Sequence, residues 1–449
     1  MSVAGSTGDT ATRSLGHRDV LAIALPIIFS NVTEPLIGVV DTGVLGALDA
    51  PHLVGGVALG ATFFSLAYFM FSFLRMGTSG LTAQADGADD GTRVSAVFAQ
   101  ALIVALVAGL ALIMLQAPLT AAALAMLSGT PAVEAAAETY ISIRIWSAPL
   151  ALTNFAILGW LIGIRRTGLA VALQLLINST NITLSILLVQ GLGLTIDGVA
   201  WGTVLAELIS ASVGVWVVWR EMHRRGALPE ARVVFEGTAV RRVFAVNRDI
   251  MLRTLALQAV FVFFVNEGAR AGEIVLAANA VLHHFMNVTA HVLDGFAYAA
   301  ETLSGHAIGA RNRRHFARAV KLSSLWAVLL AGVLSLACWL AGPLIIDLLT
   351  TSPEVRATAR AYLPWAAATP IVGVACFQLD GIFIGATQTR DMRNATIASA
   401  VAFFAIWAVL TPMYANHGLW ASVLAFFVAR AISLQLLYPR LLKTHFATP

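Results

Sequence analysis

Six carboxylates interrupt long apolar stretches of the chain, and they are the residues best suited to chemistry. They are Glu34, Asp41, Glu207, Asp294, Glu301 and Asp380. An isolated carboxylate among apolar side chains holds its proton more tightly than one in water, so its titration can fall in the physiological range. When ionised, the same group can bind Na⁺ or an organic cation. Their placement therefore indicates proton or cation binding.

Asp41 is the leading candidate because a proline precedes it on the same segment. It follows Pro26 by fifteen residues, and a proline removes one backbone hydrogen bond and can kink or hinge a helix. Protonation of Asp41 could then be coupled to the shape of that helix; the alternative is a helix-end aspartate in contact with water. Glu34 lies two turns before Asp41 on the same face, where a pore-facing role without coupling is equally plausible.

A polar stripe marks the fifth apolar segment. Asn178, Asn181 and Ser185 are spaced by three and four residues, which places them on one helical face. Thr203 on the next segment could face them. Such a stripe can bind ligands, but in membrane helices it more often joins neighbouring helices.

Asp294 and Asp380 lie on different segments of the second half, and each precedes a glycine. They could form a polar site there; an equal alternative is a buried ion pair with Arg253 or Arg430. We expect Glu207 and Glu301 to be structural. The substrate cavity is expected to be apolar with a few polar groups, and its candidates are Tyr140, Asn154, Asn178, Met286, Asp294 and Asp380, with weaker candidates in Phe63, Phe64, Met70 and Phe155.

Long apolar helices must position these residues. The chain has 449 residues, of which 58% are hydrophobic and 12% charged, so it lacks the charge that a soluble surface needs. A helix needs about 20 apolar residues to cross a bilayer, and the runs are too long for barrel strands. The sequence predicts an all-α polytopic membrane protein with twelve transmembrane helices, near 20–46, 53–77, 95–117, 139–163, 168–190, 197–219, 249–270, 275–300, 320–342, 363–386, 394–414 and 418–438.

The basic residues predict the orientation of these segments. Most of the 28 Lys and Arg residues fall in alternate loops, and such loops are normally cytoplasmic. Both termini are therefore expected in the cytoplasm, with the protein in the plasma membrane, which for a bacterium is the inner membrane. The net charge of +4 reflects this topology, and nucleic-acid binding is not expected because no basic stretch is interleaved with aromatic residues.

An internal repeat divides the chain into two six-helix halves. Matches recur at a shift of about 222, as between residues 159–163 and 381–385. Because each half has an even number of spans, the repeat is parallel, as in transporters that rock two halves around a central site. The expected domains are an N-terminal tail (1–18), a first lobe (19–219), a cytoplasmic linker (220–248), a second lobe (249–440) and a C-terminal tail (441–449).

Motifs for other functions are absent from the sequence. It has no HExxH motif, no CxxC motif and no phosphate-binding GxxxxGK[ST] loop. We therefore expect no metal site, no cofactor, no enzymatic activity and no ATP-driven pumping. Transport must then draw on an ion gradient or on a partner.

Several stretches resemble the MATE (multidrug and toxic compound extrusion) transporters, and the similarity is greatest to their DinF branch. The matching motifs are Leu25-Pro26-Ile27, Val40-Asp41-Thr42 and Gly46 in the first segment, Gly309-Ala310-Arg311, Met392-Arg393-Asn394, and residues 249–253, 293–299 and 380–387. The resemblance implies a V-shaped pair of six-helix bundles that exports amphipathic, often cationic compounds in exchange for H⁺ or Na⁺. It also implies that Asp41 is the coupling carboxylate, with Asn181 and Thr203 as neighbours.

One departure from the family pattern bears on the coupling ion. Many relatives carry a second aspartate where this chain has Ser185, in Asn181-Ile182-Thr183-Leu184-Ser185. A dehydrated Na⁺ ion prefers anionic oxygens, so the loss favours H⁺, although Glu34 could compensate. We expect a monomeric H⁺-coupled multidrug antiporter in the lipid bilayer; the alternative is a flippase of lipids or lipid-linked precursors from the same superfamily.

Overall fold

The computed structural model describes residues 15–33, 40, 43–45, 50–127 and 129–446, and in this part of the chain every regular element is a helix. The first half contains α1 (His17–Thr33), α2 (Pro51–Met70), α3 (Phe73–Gly87), α4 (Gly91–Met114), α5 (Gln116–Leu127), α6 (Pro131–Arg144), α7 (Ala148–Gly163), α8 (Thr167–Ile186) and α9 (Ile196–Arg224). The second half follows with α10 (Ala231–Val234), α11 (Gly237–Arg270), α12 (Glu273–Gly309), α13 (Arg313–Leu349), α14 (Pro353–Gly385), α15 (Thr389–Tyr414) and α16 (Asn416–Phe446).

The helices confirm the all-α prediction. Ten of the described helical stretches are long and apolar enough to cross a membrane, and they coincide with ten of the predicted segments. The eighth segment coincides with α12, which is 37 residues long and carries several polar side chains. The first segment, 20–46, is described only in part.

The expected hydrophilic linker, residues 220–248, is largely helical. Helix α9 continues to Arg224, and α11 begins at Gly237, well before the apolar run that starts near Asp249. A helix that leaves the apolar layer can continue in water because its backbone hydrogen bonds are internal. The connection between the halves is therefore short, and it includes the four-residue helix α10.

The internal repeat is visible in the backbone of the turns. Asp89 and Arg311, which the shift of the repeat superimposes, both have positive φ, of 56° and 51°. The next residue of each turn donates its backbone N–H to a carbonyl five residues earlier, over 3.0 Å in the first half and 2.8 Å in the second. Arg165 and Thr387, related by the same shift, form a second matching pair with φ of 60° and 53°. The duplication inferred from sequence is thus repeated in local geometry.

Glycines allow equivalent helices to pack closely in both halves. A methyl group at Gly159 of α7 would clash with the backbone carbonyl of Arg75 on α3. In the second half, a methyl group at the equivalent Gly381 of α14 would clash with the carbonyl of Ala297 on α12, which is the counterpart of Arg75. We call the end of the bundle that holds the turns 88–90, 164–166, 225–236, 310–312 and 386–388 the basic end, because most of the Lys and Arg residues lie there or nearby.

Candidate functional site

A buried polar cluster joins α8 to α9 in the first half. The Asn181 side-chain amide donates to Thr203 Oγ1 over 2.9 Å, and both residues are buried. Ser185, one turn further along α8, is fully buried and packs against Gly202. Asn181 Oδ1 and Ser185 Oγ have no hydrogen-bond partner within the described part of the chain. The structure therefore brings the predicted Asn181, Ser185 and Thr203 together and leaves two neutral oxygens available to a ligand or a side chain.

The two predicted acids of the first segment, Glu34 and Asp41, lie outside the described residues. The described residues that follow them show where the segment leads. Val44 and Leu45 are buried in the same apolar cluster as Phe64 and Tyr140, so the chain after Asp41 enters the core of the first half.

Pro26 lies inside α1, and the consequence of its missing N–H is visible in the structure. In a regular helix the residue at position 26 would donate to the carbonyl of Ala22. Here the Thr167 hydroxyl, in the first turn of α8, donates to that carbonyl over 3.2 Å. Thr167 is buried. The carbonyl freed by Pro26 is thus satisfied by a neighbouring helix of the same half, which ties α1 to α8.

The three first-half candidates for the substrate cavity are all in polar contacts. Tyr140 is buried, and its hydroxyl accepts a hydrogen bond from Arg144 over 2.9 Å. Asn154 Oδ1 accepts from Ser210 Oγ over 3.2 Å. Asn178 Oδ1 accepts from the Gln174 amide over 3.1 Å. These contacts hold the side chains in fixed orientations on α6, α7 and α8.

In the second half, Asp380 forms buried ion pairs with Arg253 and Arg430. From sequence, such a pair was the alternative to a polar site. One oxygen, Oδ2, accepts short hydrogen bonds from both Arg253 and Arg430, and all three residues are buried. Asp294 lies on the neighbouring helix α12 and is half-buried. It interacts electrostatically with Arg253 and Asp380. Met286 packs in the buried apolar cluster of the second half.

The two acids expected to be structural are both buried, and each has at least one oxygen without a hydrogen-bond partner within the described residues. Glu301 lies 3.9 Å from Arg75, whose guanidinium stacks on the Tyr298 ring at 4.0 Å. Glu207, one turn after Thr203 on α9, is buried, and its Oε2 has no hydrogen-bond partner in the described part of the chain. Across residues 15–33, 40, 43–45, 50–127 and 129–446, no group of three or more His, Cys, Asp and Glu residues could hold a metal ion.

At the basic end the two halves meet in a seam with pseudo-twofold symmetry. The Gln84 amide of α3 donates to the Gly385 carbonyl over 2.8 Å, and the His306 Nε2 of α12 donates to the Gly163 carbonyl over 2.8 Å. The donors Gln84 and His306 are related by the shift of the repeat, and so are the acceptors Gly385 and Gly163. Each half therefore donates the same hydrogen bond to the other. Methyl groups at Gly87 and Gly309 would clash with backbone carbonyls of the opposite half.

Further polar contacts hold this seam together. The Arg242 guanidinium donates to the side-chain Oε1 of Gln84 over 2.6 Å and to Thr387 Oγ1 over 3.1 Å. Asp86 forms an ion pair with Arg225 and lies 3.4 Å from His306 Nε2. The inter-half hydrogen bonds of the described residues are concentrated at this end, so the basic end is closed.

Sequence reasoning missed Thr167 and the seam residues Gln84, Arg242 and His306. Gly87 and Gly309 did match in the internal repeat, and that match was the available signal for a close approach of α3 and α12. Nothing in the sequence indicated that the Ala22 carbonyl would meet Thr167, because the contact joins residues 145 positions apart.

Comparison with known proteins agrees with this architecture. The family model MatE matches residues 26–187 and again 250–410, once in each half. The DNA damage-inducible protein F of Escherichia coli (strain K12) is 41% identical over 419 residues, which cover 93% of this chain and 91% of that protein. The probable multidrug resistance protein NorM of Thermotoga maritima is 21% identical over 442 residues, or 94% of this chain and 92% of that protein.

Solved structures show the same fold. The structure titled "Outward-facing conformation of a multidrug resistance MATE family transporter of the MOP superfamily" superposes with a TM-score of 0.85, covers 98% of both chains and is 16% identical. Together with the two matched repeats and the relative of 41% identity, this likeness assigns the family. The chain is a multi-pass membrane protein that belongs to the MATE family of multidrug efflux transporters, and within it to the DinF branch.

Proposed function

We propose that the protein is a secondary active exporter that exchanges H⁺ for amphipathic, often cationic compounds across the bacterial inner membrane. In this proposal it acts as a monomer, its termini and its basic end face the cytoplasm, and Asp41 carries the proton. The observation that supports it most is the closed seam at the basic end, because an exporter must alternate between states that are closed on one side.

The pseudo-twofold seam supports alternating access of two rigid lobes. Its contacts are reciprocal, so one hinge motion would break Gln84–Gly385 and His306–Gly163 at the same time. Parallel repeats related by an axis along the membrane normal commonly move in this way. With the basic end in the cytoplasm, a closed seam corresponds to an outward-facing state that can release its substrate.

The cluster beside α8 and α9 supports H⁺ over Na⁺. The oxygens that Asn181 and Ser185 leave unpartnered are neutral, and a dehydrated Na⁺ ion prefers anionic ligands in place of its hydration shell. A carboxylate can accept a proton without such a ligand set. We therefore propose that Asp41 takes a proton from outside, that α1 changes shape about Pro26, and that the substrate leaves outward.

Transport by the purified protein in liposomes tests this function. We expect efflux of a fluorescent amphipathic cation such as ethidium when a pH gradient is imposed without Na⁺, and no efflux when a Na⁺ gradient is imposed at constant pH. Efflux driven by Na⁺ alone would contradict H⁺ coupling. Scrambling of fluorescent phospholipids without any gradient-driven cation efflux would contradict the exporter and favour the flippase.

A further inference from the structure

A pocket of about 280 Å³ opens on the outer surface of the second half, and no step of the proposed transport cycle uses it. Its walls are α13 and α16, and α14 forms its floor. This volume is close to the lower end of the range for small-molecule sites, roughly 300–1,000 Å³. The opposite side of α13 faces the first half, where Trp326 donates to His17 over 3.1 Å. The pocket therefore faces away from the seam and towards the surrounding membrane.

The floor of the pocket holds a buried amide with no partner. Gln378 is only 3% exposed and lines the pocket. Both its Oε1 and its Nε2 lack a hydrogen-bond partner in the part of the chain that the structure describes. Buried amides are almost always hydrogen-bonded, so this one indicates a ligand that both accepts and donates. The equivalent position in the first half is the apolar Ala156, so the feature belongs to the second half alone.

The other lining residues fit an amphipathic molecule. Apolar side chains, including Val328 and Ile382, line most of the pocket, while Ser324, Gln435 and Tyr438 add polar groups. Val328 is half exposed, which leaves the pocket open to acyl chains.

A basic side chain between the pocket and the basic end indicates that the ligand is anionic. Ser324 lies eleven residues from the start of α13 at the basic end, which is about 16 Å along the helix. The exposed Lys321 lies three residues before Ser324, on the same helical face and closer to the basic end. A cation between the polar pocket and the basic end would attract a phosphate group.

From these contacts we infer that the pocket binds an anionic phospholipid of the leaflet at the basic end. The phosphate lies near Lys321, the glycerol esters and a headgroup hydroxyl bond Gln378, and an acyl chain packs along Val328. The site is independent of the transport cavity, so it could exist whether or not the proposed H⁺ coupling is correct.

Native mass spectrometry tests the site on full-length protein taken from vesicles of phosphatidylglycerol and phosphatidylethanolamine. We expect one phosphatidylglycerol molecule to remain bound after mild detergent removal. Q378L should lower this retention about fivefold or more through the lost hydrogen bonds, and A375W, at an exposed lining position, should lower it by filling the pocket. V401W, on the exposed surface of α15, and Q190L, at the opposite end, are the matched controls and should retain the lipid as the parent does.

Three results would overturn the inference. They are equal retention by Q378L, A375W and the parent protein, equal retention of phosphatidylethanolamine and phosphatidylglycerol, and one-for-one displacement of the lipid by ethidium. Size-exclusion elution at the parent's volume establishes that each variant is folded, and A375W replaces an exposed residue so that at least one variant leaves the core unchanged.

Discussion

At the scale of single residues, the buried cluster on α8 and α9 is built from neutral polar side chains. Asn181 and Thr203 bond each other, and Ser185 beside them has a free hydroxyl within the described structure. A carboxylate introduced at this position would be buried without a cationic partner, which is unfavourable unless a proton or a metal cation neutralises it. The residue at position 185 is therefore expected to influence which ion the protein uses.

Introducing an aspartate at position 185 tests this expectation. In S185D the melting temperature of the detergent-solubilised protein should rise when Na⁺ replaces choline, because an ion that binds only the folded state stabilises it. The parent and S185N should show no such rise. Measurement by thermal unfolding followed by fluorescence is sufficient. A rise in the parent or in S185N as large as the rise in S185D would contradict the assignment of H⁺.

Asp380 is a structural anchor of the second half as well as a candidate site residue. It forms ion pairs with two buried arginines, and removal of one member of a buried ion pair leaves an uncompensated charge that costs about 3–5 kcal/mol. We expect D380N to lower the free energy of unfolding by roughly that amount. Replacing Asp380, Arg253 and Arg430 together by leucine removes every member of the pairs and should be less harmful than D380N alone, as judged by denaturant unfolding. A D380N protein as stable as the parent would contradict this role.

At the scale of elements, a hydrogen bond from α8 compensates for the interruption of α1 at Pro26. Pro26 removes the internal bond to the Ala22 carbonyl, and Thr167 on α8 supplies a replacement. Ala22 is exposed, so the replacement bond contributes about 0.5–1.5 kcal/mol, as an ordinary hydrogen bond does. The hydroxyl of Thr167 thus stabilises the proline-containing form of α1 in this state.

A double-mutant cycle isolates this contact. T167V should destabilise the parent by about 0.5–1.5 kcal/mol, because valine has the shape of threonine without the hydroxyl. In the P26A background the same change should be nearly neutral, because the introduced alanine donates its own N–H to the Ala22 carbonyl. Unfolding in detergent measures all four proteins, with T153V as a control for a buried threonine elsewhere. Equal costs in both backgrounds would show that the Thr167 hydroxyl does not serve the carbonyl that Pro26 leaves free.

The elements themselves were largely predictable from sequence, because twenty-residue apolar runs have few alternatives in a bilayer. The helix ends were not. Residues 220–248 read as a hydrophilic linker, although most of them are helical, since exposed polar residues are equally compatible with a helix end and a loop. For Asp380, the sequence predicted the ion pair with Arg253 or Arg430 only as one of two alternatives. The hydrogen bond from Thr167 to Ala22 could not be predicted, because it depends on how α1 packs against α8.

At the scale of the whole molecule, the internal repeat yields two halves of similar shape that differ in their chemistry. The first half holds neutral unpartnered oxygens on α8, at Asn181 and Ser185, whereas the second half holds the ion pairs of Asp380 with Arg253 and Arg430. The seam between the halves follows the symmetry, with Gln84 and His306 in equivalent positions.

Cross-linking the seam tests whether it must open during transport. Gln84 and Thr387 are in side-chain contact across the halves, at 3.2 Å. A short bis-methanethiosulfonate reagent, which forms a disulfide with each thiol and releases methanesulfinate, should therefore join Q84C to T387C and abolish efflux until a reductant cleaves the link. The matched control joins D347C to R360C, whose native side chains are paired within the second half at the end opposite the seam; this cross-link should leave efflux unchanged. Both native cysteines are buried. Full transport by the cross-linked Q84C/T387C protein would contradict a seam that opens in each cycle.

The central claim is that Asp41 carries the proton that drives export. The most direct measurement is efflux of ethidium from liposomes that contain D41N, driven by an imposed pH gradient and compared with the parent protein at equal insertion. Asparagine keeps the size of aspartate but cannot be protonated and ionised in turn. The account predicts that D41N transports no faster than empty liposomes while it still folds and inserts. Efflux by D41N at the parent's rate under the same pH gradient would contradict it.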